Sequence, residues 1–257
     1  MRNIVLAIQY DGTNYNGWQI QSAPKTVTIQ GVLQNAVHKI TGEFTRVTGA
    51  GRTDAGVHAV CQIASFKTSS GLETDIIQKA LNANLPDDIR ILKAEDKDMA
   101  FNPRFKAKSK IYSYLISNAK IDSPFLRRYS WNIRYELDID EMISSVQYLI
   151  GSHDFSSFRG SGCGARDTVR TIFSVSIENY RSMEFMTFLL AGNFIKITVE
   201  ADSFLRHMVR NIVGTVFEIG RKRWKAEDMK NILLAANRTL AGRTAPARGL
   251  FLERINY

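Results

Sequence analysis

The sequence predicts an α+β fold made of two similar halves. Three observations support this prediction. The first half contains the order β-α-β-β-α-β, which is the pattern of a ferredoxin-like split βαβ unit. The second half mixes helical segments with antiparallel-type hairpins in a similar rhythm, as expected when helices pack against a sheet. The 257 residues, 44% of them hydrophobic, are enough for a sizeable core in one large domain or two smaller ones.

The elements of the first half follow one another closely. An apolar run predicts the first strand at residues 3–10, and a polar loop follows it. Thr28 can cap a helix over Ile29–Ile40, because its side-chain oxygen can accept a hydrogen bond from the first helical turn. An apolar stripe at helical spacing marks this helix. The other expected elements are strands at 43–50, 59–67 and 87–95 and a helix at 75–82.

The second half is predicted from the same periodicities. Its expected strands lie at 105–116, 168–180 and 194–200, its helices at 138–150, 204–219 and 226–236, and a last strand at 249–257. No convincing sequence repeat links it to the first half. The segment 156–168 holds three glycines flanked by Arg159 and Arg166, which excludes regular structure. It is either a flexible loop or a basic loop that orders on RNA.

Excess positive charge favours a polyanionic partner. The net charge is +9 and the sequence pI is about 9.6. A protein that neutralises the phosphates of RNA releases their counterions, which favours binding. Charge alone fits a basic protein without such a partner equally well. Alternating basic residues in one predicted strand would share one face of it, where they contact RNA or are simply solvated. They are Arg104, Lys106, Lys108 and Lys110, and a second group beside a predicted helix is Arg206, Arg210, Arg221, Lys222, Arg223 and Lys225.

Several features favour a cytoplasmic protein. No apolar run approaches the roughly 20 residues that a membrane span needs. The N-terminus lacks the long apolar stretch and the small-residue cleavage site of a signal peptide. Cys61 and Cys163 do not form a disulfide framework in a chain of this size. We therefore expect a reducing compartment and two thiols without a role.

The segment from Gly49 to Ala59, GAGRTDAGVHA, carries the most functional information. A dinucleotide fingerprint would need glycine in place of Asp54, whose carboxylate would repel a pyrophosphate. A P-loop would need Lys and then Ser or Thr after Gly56. The zinc deaminase, H-E-x-x-H and G-x-S-x-G motifs do not occur in the chain. What remains is an aspartate in a tight glycine loop, two residues after Arg52. Taken singly, the two side chains would be a turn residue and a surface charge.

The same segment resembles the catalytic motif of the tRNA pseudouridine synthase A family. Further blocks in the family's order extend the resemblance across nearly the whole chain: YDGTNYNGWQ, FNPRFKAKSKIYSYLI, FSSFRGSGC, FLRHMVRNIVGT and LAGRTAPARGLFL. Agreement of several blocks in order is far more specific than agreement of one block. Arg243 and Arg248 stand where the family often has other residues, and both add charge near the expected cleft.

The resemblance implies an isomerase that needs no cofactor or metal. It would break the bond between uracil N1 and the ribose, rotate the base and join C5 to C1′. Asp54 matches the family's catalytic carboxylate. Whether it attacks C1′ or acts by another covalent or proton-abstracting route stays open. Arg210 matches the residue that pairs with this carboxylate. Tyr112 matches the tyrosine that stacks on the target base. Arg52 would enter the helix stack and help to flip the base, and Leu250 would form an apolar wall against it.

The resemblance also implies a fold, a substrate and an assembly. The halves, expected at 1–103 with the Asp loop and at 104–257 with the stacking Tyr and pairing Arg, would share a largely antiparallel central sheet with helices on one side. The active-site cleft would lie between them. The substrate would be tRNA, at uridines 38–40 of the anticodon stem-loop, bound by a homodimer. The RNA-binding residues would be Arg104, Lys106, Lys108, Lys110, Arg159, Arg166 and Arg206.

Three alternatives stay open. A non-catalytic RNA-binding protein would explain the charge and the α+β pattern, but it gives no reason for a carboxylate in an RNA cleft. An enzyme that acts on a small acidic metabolite is a second alternative, but this sequence contains neither a phosphate-binding loop nor a set of metal ligands for it. A related synthase could modify another RNA position, because the motif blocks specify the reaction type more securely than the target.

Overall fold

The computed structural model describes residues 1–22, 26–185 and 187–257, which divide into two compact units. Unit 1 comprises Met1–Lys108 together with Phe251–Tyr257, and unit 2 comprises Ser109–Leu250. The last strand of the chain thus belongs with unit 1 except for its first residue. Each unit combines helices with a largely antiparallel sheet, which confirms the predicted α+β class.

Unit 1 has the predicted order of strands and helices, followed by one short helix that was not predicted. They are β1 (Arg2–Tyr10), α1 (Ile29–Thr41), β2 (Thr48–Gly49), β3 (His58–Thr68), α2 (Thr74–Asn84), β4 (Ile89–Lys97) and α3 (Pro103–Lys106). β1 pairs antiparallel with β3 and β4, and β2 pairs antiparallel with β3. The order β4-β1-β3-β2 is that of a split βαβ unit. Two residues of the last strand, Phe251 and Leu252, run parallel to β3.

Helix α1 begins where the sequence predicts. Oγ1 of Thr28 accepts a hydrogen bond from Gly31 N at 3.2 Å and caps the first turn. Gly42 ends the helix in the left-handed conformation (φ 74°), and its N–H donates to the His38 carbonyl at 2.8 Å. Of the predicted apolar stripe, Leu33, Ala36 and Val37 are buried, whereas Val32 and Ile40 are half-buried.

The strand predicted at 43–50 is wrong for most of its length. Only Thr48–Gly49 forms a strand, as β2. Amide side chains of α1 take up backbone groups that a strand partner would otherwise use. Gln34 Oε1 accepts from Val47 N at 3.2 Å, and Gln30 Nε2 donates to Val47 O at 2.8 Å. Tertiary side-chain contacts therefore replace the expected strand ladder.

Three strands of unit 2 repeat an arrangement that is present in unit 1. Its elements are β5 (Ser109–Ser117), β6 (Trp131–Asn132), α4 (Ile139–Val146), β7 (Gly151–Asp154), β8 (Val169–Phe185), β9 (Phe188–Ala201), α5 (Met208–Gly220) and α6 (Asp228–Leu234), before the last strand of the chain, β10 (Leu250–Asn256). β9 pairs antiparallel with β5 and β8, and β7 pairs antiparallel with β8. The spatial order β5-β9-β8 corresponds to β1-β3-β2 of unit 1. In chain order, a helix follows the first and the third strand of each set, which are β1 and β3 in unit 1 and β5 and β9 in unit 2.

The predicted strand over 105–116 begins instead at Ser109, as β5. Before it, α3 forms one helical turn that Asn102 caps, since Asn102 Oδ1 accepts from Arg104 N at 3.0 Å. The four basic residues therefore do not alternate along one strand face. The helix carries Arg104 and Lys106, the connection Lys108 and the strand Lys110.

The helices of unit 2 are shorter than predicted. The helix expected over 204–219 begins only at Met208, because His207 adopts a left-handed conformation (φ 61°) that a continuous helix does not allow. The helix expected over 138–150 ends at Val146 and continues as a single 3-10 turn. The short strands β6 and β7 were not predicted.

Helix α5 lies in the core of unit 2. Every residue of α5 is buried except Arg210, which is half-buried. This confirms that the helix is apolar around Arg210. Within the described part of the chain, no helix has the length and apolar character needed to cross a membrane.

Candidate active site

The loop that carries Asp54 connects β2 to β3 in unit 1. Asp54 is half-buried, and Arg52 is exposed. A tight turn follows the aspartate, in which Val57 N donates to the Asp54 carbonyl at 3.2 Å. Gly56 adopts a positive φ of 76° within it. This conformation suits glycine, which explains one glycine of the motif in backbone terms.

The segment between β1 and α1 holds the Asp54 loop in place. Trp18 N donates to the Thr53 carbonyl at 3.0 Å, and Gly56 N donates to the Tyr15 carbonyl at 3.3 Å. The two backbones lie so close at Gly17 (φ 85°) that a Cβ there would be 2.6 Å from the Thr53 oxygen. The sequence showed this segment as a family block, but its role as the support of the loop was missed.

A buried pair of hydroxyl groups anchors the residue before Asp54. The oxygens of Tyr10 and Thr53 are 2.8 Å apart. Burial raises the pKa of Tyr10 to about 12, although its hydrogen bonds with Thr53 and Gln62 act in the opposite direction. Tyr10 is therefore neutral at physiological pH and can share a proton with the threonine hydroxyl.

His58 supports the end of the loop where β3 begins. Its ring is buried and stacks on Phe251, with centroids 4.8 Å apart. Its Nδ1 lies 3.1 Å from Gly12 N and 3.0 Å from Asp11 Oδ1. A backbone N–H can only donate, so a neutral ring accepts at Nδ1, whereas a protonated ring donates to the carboxylate. In both states the ring is fixed at the end of the loop.

Two tyrosines of β5 differ in their surroundings. Tyr114 is fully buried, and its hydroxyl donates to the Pro246 carbonyl at 2.8 Å. Burial raises the pKa of Tyr114, against the opposing charges of Arg210 and of other arginines. Tyr112 is 7% exposed, and its ring meets Phe204 edge-on with centroids 5.0 Å apart. Both rings lie in the core of unit 2, so the choice of Tyr112 for base stacking still depends on the family resemblance.

A reciprocal pair of hydrogen bonds fixes Arg210. Its Nε donates to the Ala245 carbonyl at 2.8 Å, and Ala245 N donates to the Arg210 carbonyl at 3.0 Å. The guanidinium group is therefore held to the segment 241–248, which lies within the LAGRTAPARGLFL block at residues 240–252. Leu250, two residues beyond this segment, is the buried first residue of β10.

Glycines bring helix α5 and this segment into backbone contact. A Cβ on Gly214 would lie 1.6 Å from the Arg243 carbonyl oxygen, and a Cβ on Gly242 would lie 2.4 Å from the Gly214 oxygen. Gly242 N also donates to Thr215 Oγ1 at 2.9 Å. No larger residue fits at either position without a shift of the backbone.

A buried polar network lies behind Arg210. Asn211 is fully buried, and its Oδ1 accepts from Arg238 Nη2 at 3.1 Å and from Thr244 Oγ1 at 2.6 Å. Its Nδ2 donates to the Phe158 carbonyl at 2.7 Å. Burial lowers the pKa of Arg238. Nothing in the sequence pattern indicated this network, because its members lie far apart along the chain.

The basic residues fall into two groups in unit 2. Arg159 and Arg206 both bind the glycine-rich loop: Arg159 donates to the Cys163 carbonyl, and Gly160 N donates to the Arg206 carbonyl at 2.8 Å. A Cβ on Gly162 would lie 3.0 Å from the Arg206 guanidinium. The second group surrounds the end of α5 and is partly neutralised by Glu218 and Asp138. Its members are Arg221, Lys222 and Arg223.

The sequence-predicted site residues are divided between the units. Unit 1 carries Asp54 and Arg52, and unit 2 carries Arg210, Tyr112 and Leu250. Within the described ranges, no group of three or more His, Cys, Asp or Glu side chains is placed to hold a metal ion.

Comparison with known proteins decides the family. A family model described as tRNA pseudouridine synthase matches residues 6–106 and 146–257. This chain belongs to the tRNA pseudouridine synthase family. The matched segments contain the Asp54 loop and the Arg210 helix, whereas Tyr112 lies between them.

Several named relatives match this chain over its whole length. Proteins named tRNA pseudouridine synthase A from Thermoanaerobacter sp. (strain X514), Acetivibrio thermocellus and Thermodesulfovibrio yellowstonii are 44%, 45% and 40% identical over 257 residues, which is 100% of each chain. Among solved structures, a Cbf5-Nop10-Gar1 complex aligns with 99% of this chain and 58% of its own, at 11% identity and a TM-score of 0.31. The family assignment therefore depends on sequence, and it confirms the resemblance.

Proposed function

We propose that this chain isomerises uridine to pseudouridine in the anticodon stem-loop of tRNA, with Asp54 as the nucleophile. The observation that carries the proposal is the placement of Asp54. Its carboxylate is half-buried in a loop whose backbone is hydrogen-bonded to a second segment on both sides of it. A turn residue without chemistry does not need this support, whereas a nucleophile must be held within a fraction of an ångström of its target.

The reaction needs no redox partner, because it is an isomerisation. The N1–C1′ bond of uridine breaks, the uracil rotates, and C5 bonds to C1′. The proton on C5 is lost to water or to a base, and N1 gains a proton. Asp54 supplies the carboxylate that acts on the nucleoside and is regenerated at the end.

The residues of unit 2 complete the proposed site. Arg210, held by Ala245, provides the cation that pairs with the Asp54 carboxylate when RNA is bound. Tyr112 stacks on the uracil, and Leu250 forms an apolar wall beside it. Arg52, which is exposed, enters the base stack in place of the flipped uridine.

Basic residues bind the RNA backbone in this proposal. Arg159 and Arg206 make the glycine-rich loop a phosphate-binding element that is already tied at two points, and Arg166 extends it. Because these side chains neutralise phosphates and release their counterions, the affinity for RNA should fall as the salt concentration rises. The further contacts are Arg104, Lys106, Lys108 and Lys110.

We also propose a homodimer that binds tRNA across both subunits and works in the cytoplasm, where tRNA is available. Light scattering at concentrations at which the enzyme is active should give twice the mass of one chain. A single chain under those conditions would rule out the dimer but not the reaction.

Tritium release tests the proposed function. Transfer RNA labelled at uracil C5 is mixed with the wild type, with Asp54→Asn and with Asp140→Asn, which alters an exposed aspartate of α4. We expect release by the wild type and by Asp140→Asn, and a loss of about a thousandfold or more in Asp54→Asn, because amides do not replace carboxylate nucleophiles. Affinity for tRNA, measured in parallel, should change little.

The opposite outcome is equally informative. Tight tRNA binding by the wild type without release from any tRNA would leave a non-catalytic RNA-binding protein. Release from other RNAs but not from tRNA would indicate a related synthase with another target.

A further inference from the structure

Unit 1 contains an open surface pocket of about 470 Å³ that the proposed chemistry does not use. Its size lies within the range of small-ligand sites, about 300–1,000 Å³. The pocket lies between the exposed side of α1, the residues after Trp18 and the residues before β2. The side chains that give it its character are Gln19, Gln34, Asn35, Phe44 and Arg46.

An exposed aromatic ring dominates one side of the pocket. Phe44 is 91% exposed, although large apolar side chains in a folded domain are usually buried. Its ring is stacked on His38, with centroids 3.7 Å apart and planes inclined by 20°. The stack holds the ring flat with one face covered by His38. A flat, exposed ring of this kind is a platform on which an RNA base can stack.

Fixed amide groups form another side. Gln19 Nε2 donates to Gln30 Oε1 at 2.7 Å, and Gln34 Oε1 accepts from Val47 N at 3.2 Å. These bonds orient both side chains, and they leave the Gln19 oxygen and the Gln34 amide hydrogens for a ligand. Asn35, which is exposed, adds a further donor and acceptor. Oriented amides match the polar edge of a nucleobase.

The pocket is continuous with the support of the Asp54 loop. Trp18, whose N–H bonds the Thr53 carbonyl at 3.0 Å, directly precedes Gln19. From chain geometry, the Gln19 Cα lies within roughly 10 Å of the backbone at Thr53. On the other side, the strand that follows Arg46 and Val47 leads into the same loop. The pocket and the Asp54 loop are therefore neighbours within unit 1.

We infer that the pocket binds one unpaired nucleotide of the tRNA other than the target uridine. Its base stacks on Phe44, its polar edge contacts the amides, and its phosphate faces Arg46, which is exposed. The inference rests on the proposed function for its choice of RNA. The open shape suits a nucleotide held within a longer strand, because a small free ligand is usually enclosed on most of its surface.

Substitutions at Phe44 test the stacking. The affinity of an unmodified tRNA transcript is measured for Phe44→Ala, Phe44→Leu and Phe44→Trp, with Phe173→Ala as control, since Phe173 is an exposed phenylalanine of β8 in unit 2. We expect Ala and Leu to weaken binding about tenfold, as loss of one base–aromatic stack does, and Trp to match the wild type. Thermal unfolding should be unchanged, because the ring is exposed.

Substitution of Arg46 tests the phosphate contact. Arg46→Ala should reduce the slope of log affinity against log salt by about 1, whereas Lys79→Ala, on the exposed side of α2, should leave that slope unchanged.

Each outcome decides between the proposals. Phe44→Ala binding with the affinity of Phe173→Ala would overturn the pocket, as would full binding by Phe44→Leu, which indicates apolar packing without stacking. If either of these results is found and the wild type still releases tritium from tRNA, the pocket is overturned but the proposed function stands. If the wild type releases none, yet Phe44→Ala and Phe44→Leu lose affinity and Phe44→Trp keeps it, the pocket stands and the catalytic proposal fails.

Discussion

The Asp54 loop of unit 1 is held by backbone groups, whereas the Arg210 segment of unit 2 is held by buried side chains. In unit 1, Trp18 N and the Tyr15 carbonyl bond to the two ends of the turn, and side-chain bonds such as that of Tyr10 to Thr53 add to them. In unit 2, Asn211 alone accepts or donates three hydrogen bonds to residues of three other segments.

This difference determines which substitutions matter in each unit. Backbone hydrogen bonds survive most changes of side chain, so the support of Asp54 depends mainly on glycines at points of close approach. A buried polar network loses more than one bond when one member is removed, because the remaining groups stay buried without partners. Unit 2 should therefore be the more sensitive of the two to side-chain truncation.

The largest effect is expected where α5 and the 241–248 segment meet. Gly214→Ala places a Cβ 1.6 Å from the Arg243 carbonyl oxygen. Alanine improves helix propensity by about 1 kcal/mol, but overpacking against backbone costs about 3 kcal/mol or more, so the variant should be less stable. Urea unfolding measures the change. Gly164→Ala, which meets nothing within 4 Å, is the control and should shift stability by less than about 0.5 kcal/mol. Equal midpoints for the two variants would show that the helix and the segment separate in solution.

Truncation of Asn211 should have the next largest effect. Asn211→Ala removes partners from Arg238, Thr244 and the Phe158 carbonyl at once, and we expect a loss of about 2 kcal/mol in the free energy of unfolding. Asn84→Ala, which removes one exposed bond to the Ala80 carbonyl, should cost much less. If both variants lose the same free energy, the network contributes nothing beyond its single bonds.

Much of the fold could be predicted from local patterns. The apolar stripe and the Thr28 cap gave α1 to within one residue at its end, and the order of elements gave the split βαβ topology of unit 1. Helix α3 was missed, although Asn102 followed by Pro103 is a helix-start signal, because alternating basic residues suggested a strand. The left-handed His207 could not be predicted, since most residues there would continue a helix.

The sequence proposed residues for the candidate site but not the contacts that support them. The motif around Asp54 and its family resemblance point to this carboxylate, and the apolar neighbours of Arg210 in α5 are buried as expected. The Asn211 network and the Trp18 contact depend on segments that meet only in the folded chain. The Phe44 pocket arises in the same way, because Gln34 and Gln30 bind the backbone of a segment predicted as a strand.

The smallest effect is expected in unit 1, where Tyr10→Phe removes the hydroxyl that bonds Thr53. At neutral pH the loss should be about 1 kcal/mol, the usual contribution of one buried neutral hydrogen bond. The pH dependence is more specific. Burial raises the pKa of Tyr10 from 10.0 to about 12 in the folded chain, so the unfolded chain loses this proton first as the pH rises. The stability linked to the neutral phenol is complete below pH 10 and is lost as the pH rises towards 12.

Denaturant unfolding from pH 8 to 11.5 separates the two contributions. Above pH 10, the wild type should lose up to about 1.4 kcal/mol per pH unit more than Tyr10→Phe, so the gap between them narrows and then reverses. Tyr135→Phe, at an exposed tyrosine of unit 2, should follow the wild type throughout. If Tyr10→Phe instead stays below the wild type by a constant amount, the phenol is not desolvated. The Tyr10 hydroxyl would then stabilise the Asp54 loop only through its hydrogen bond to Thr53, with no added dependence on pH.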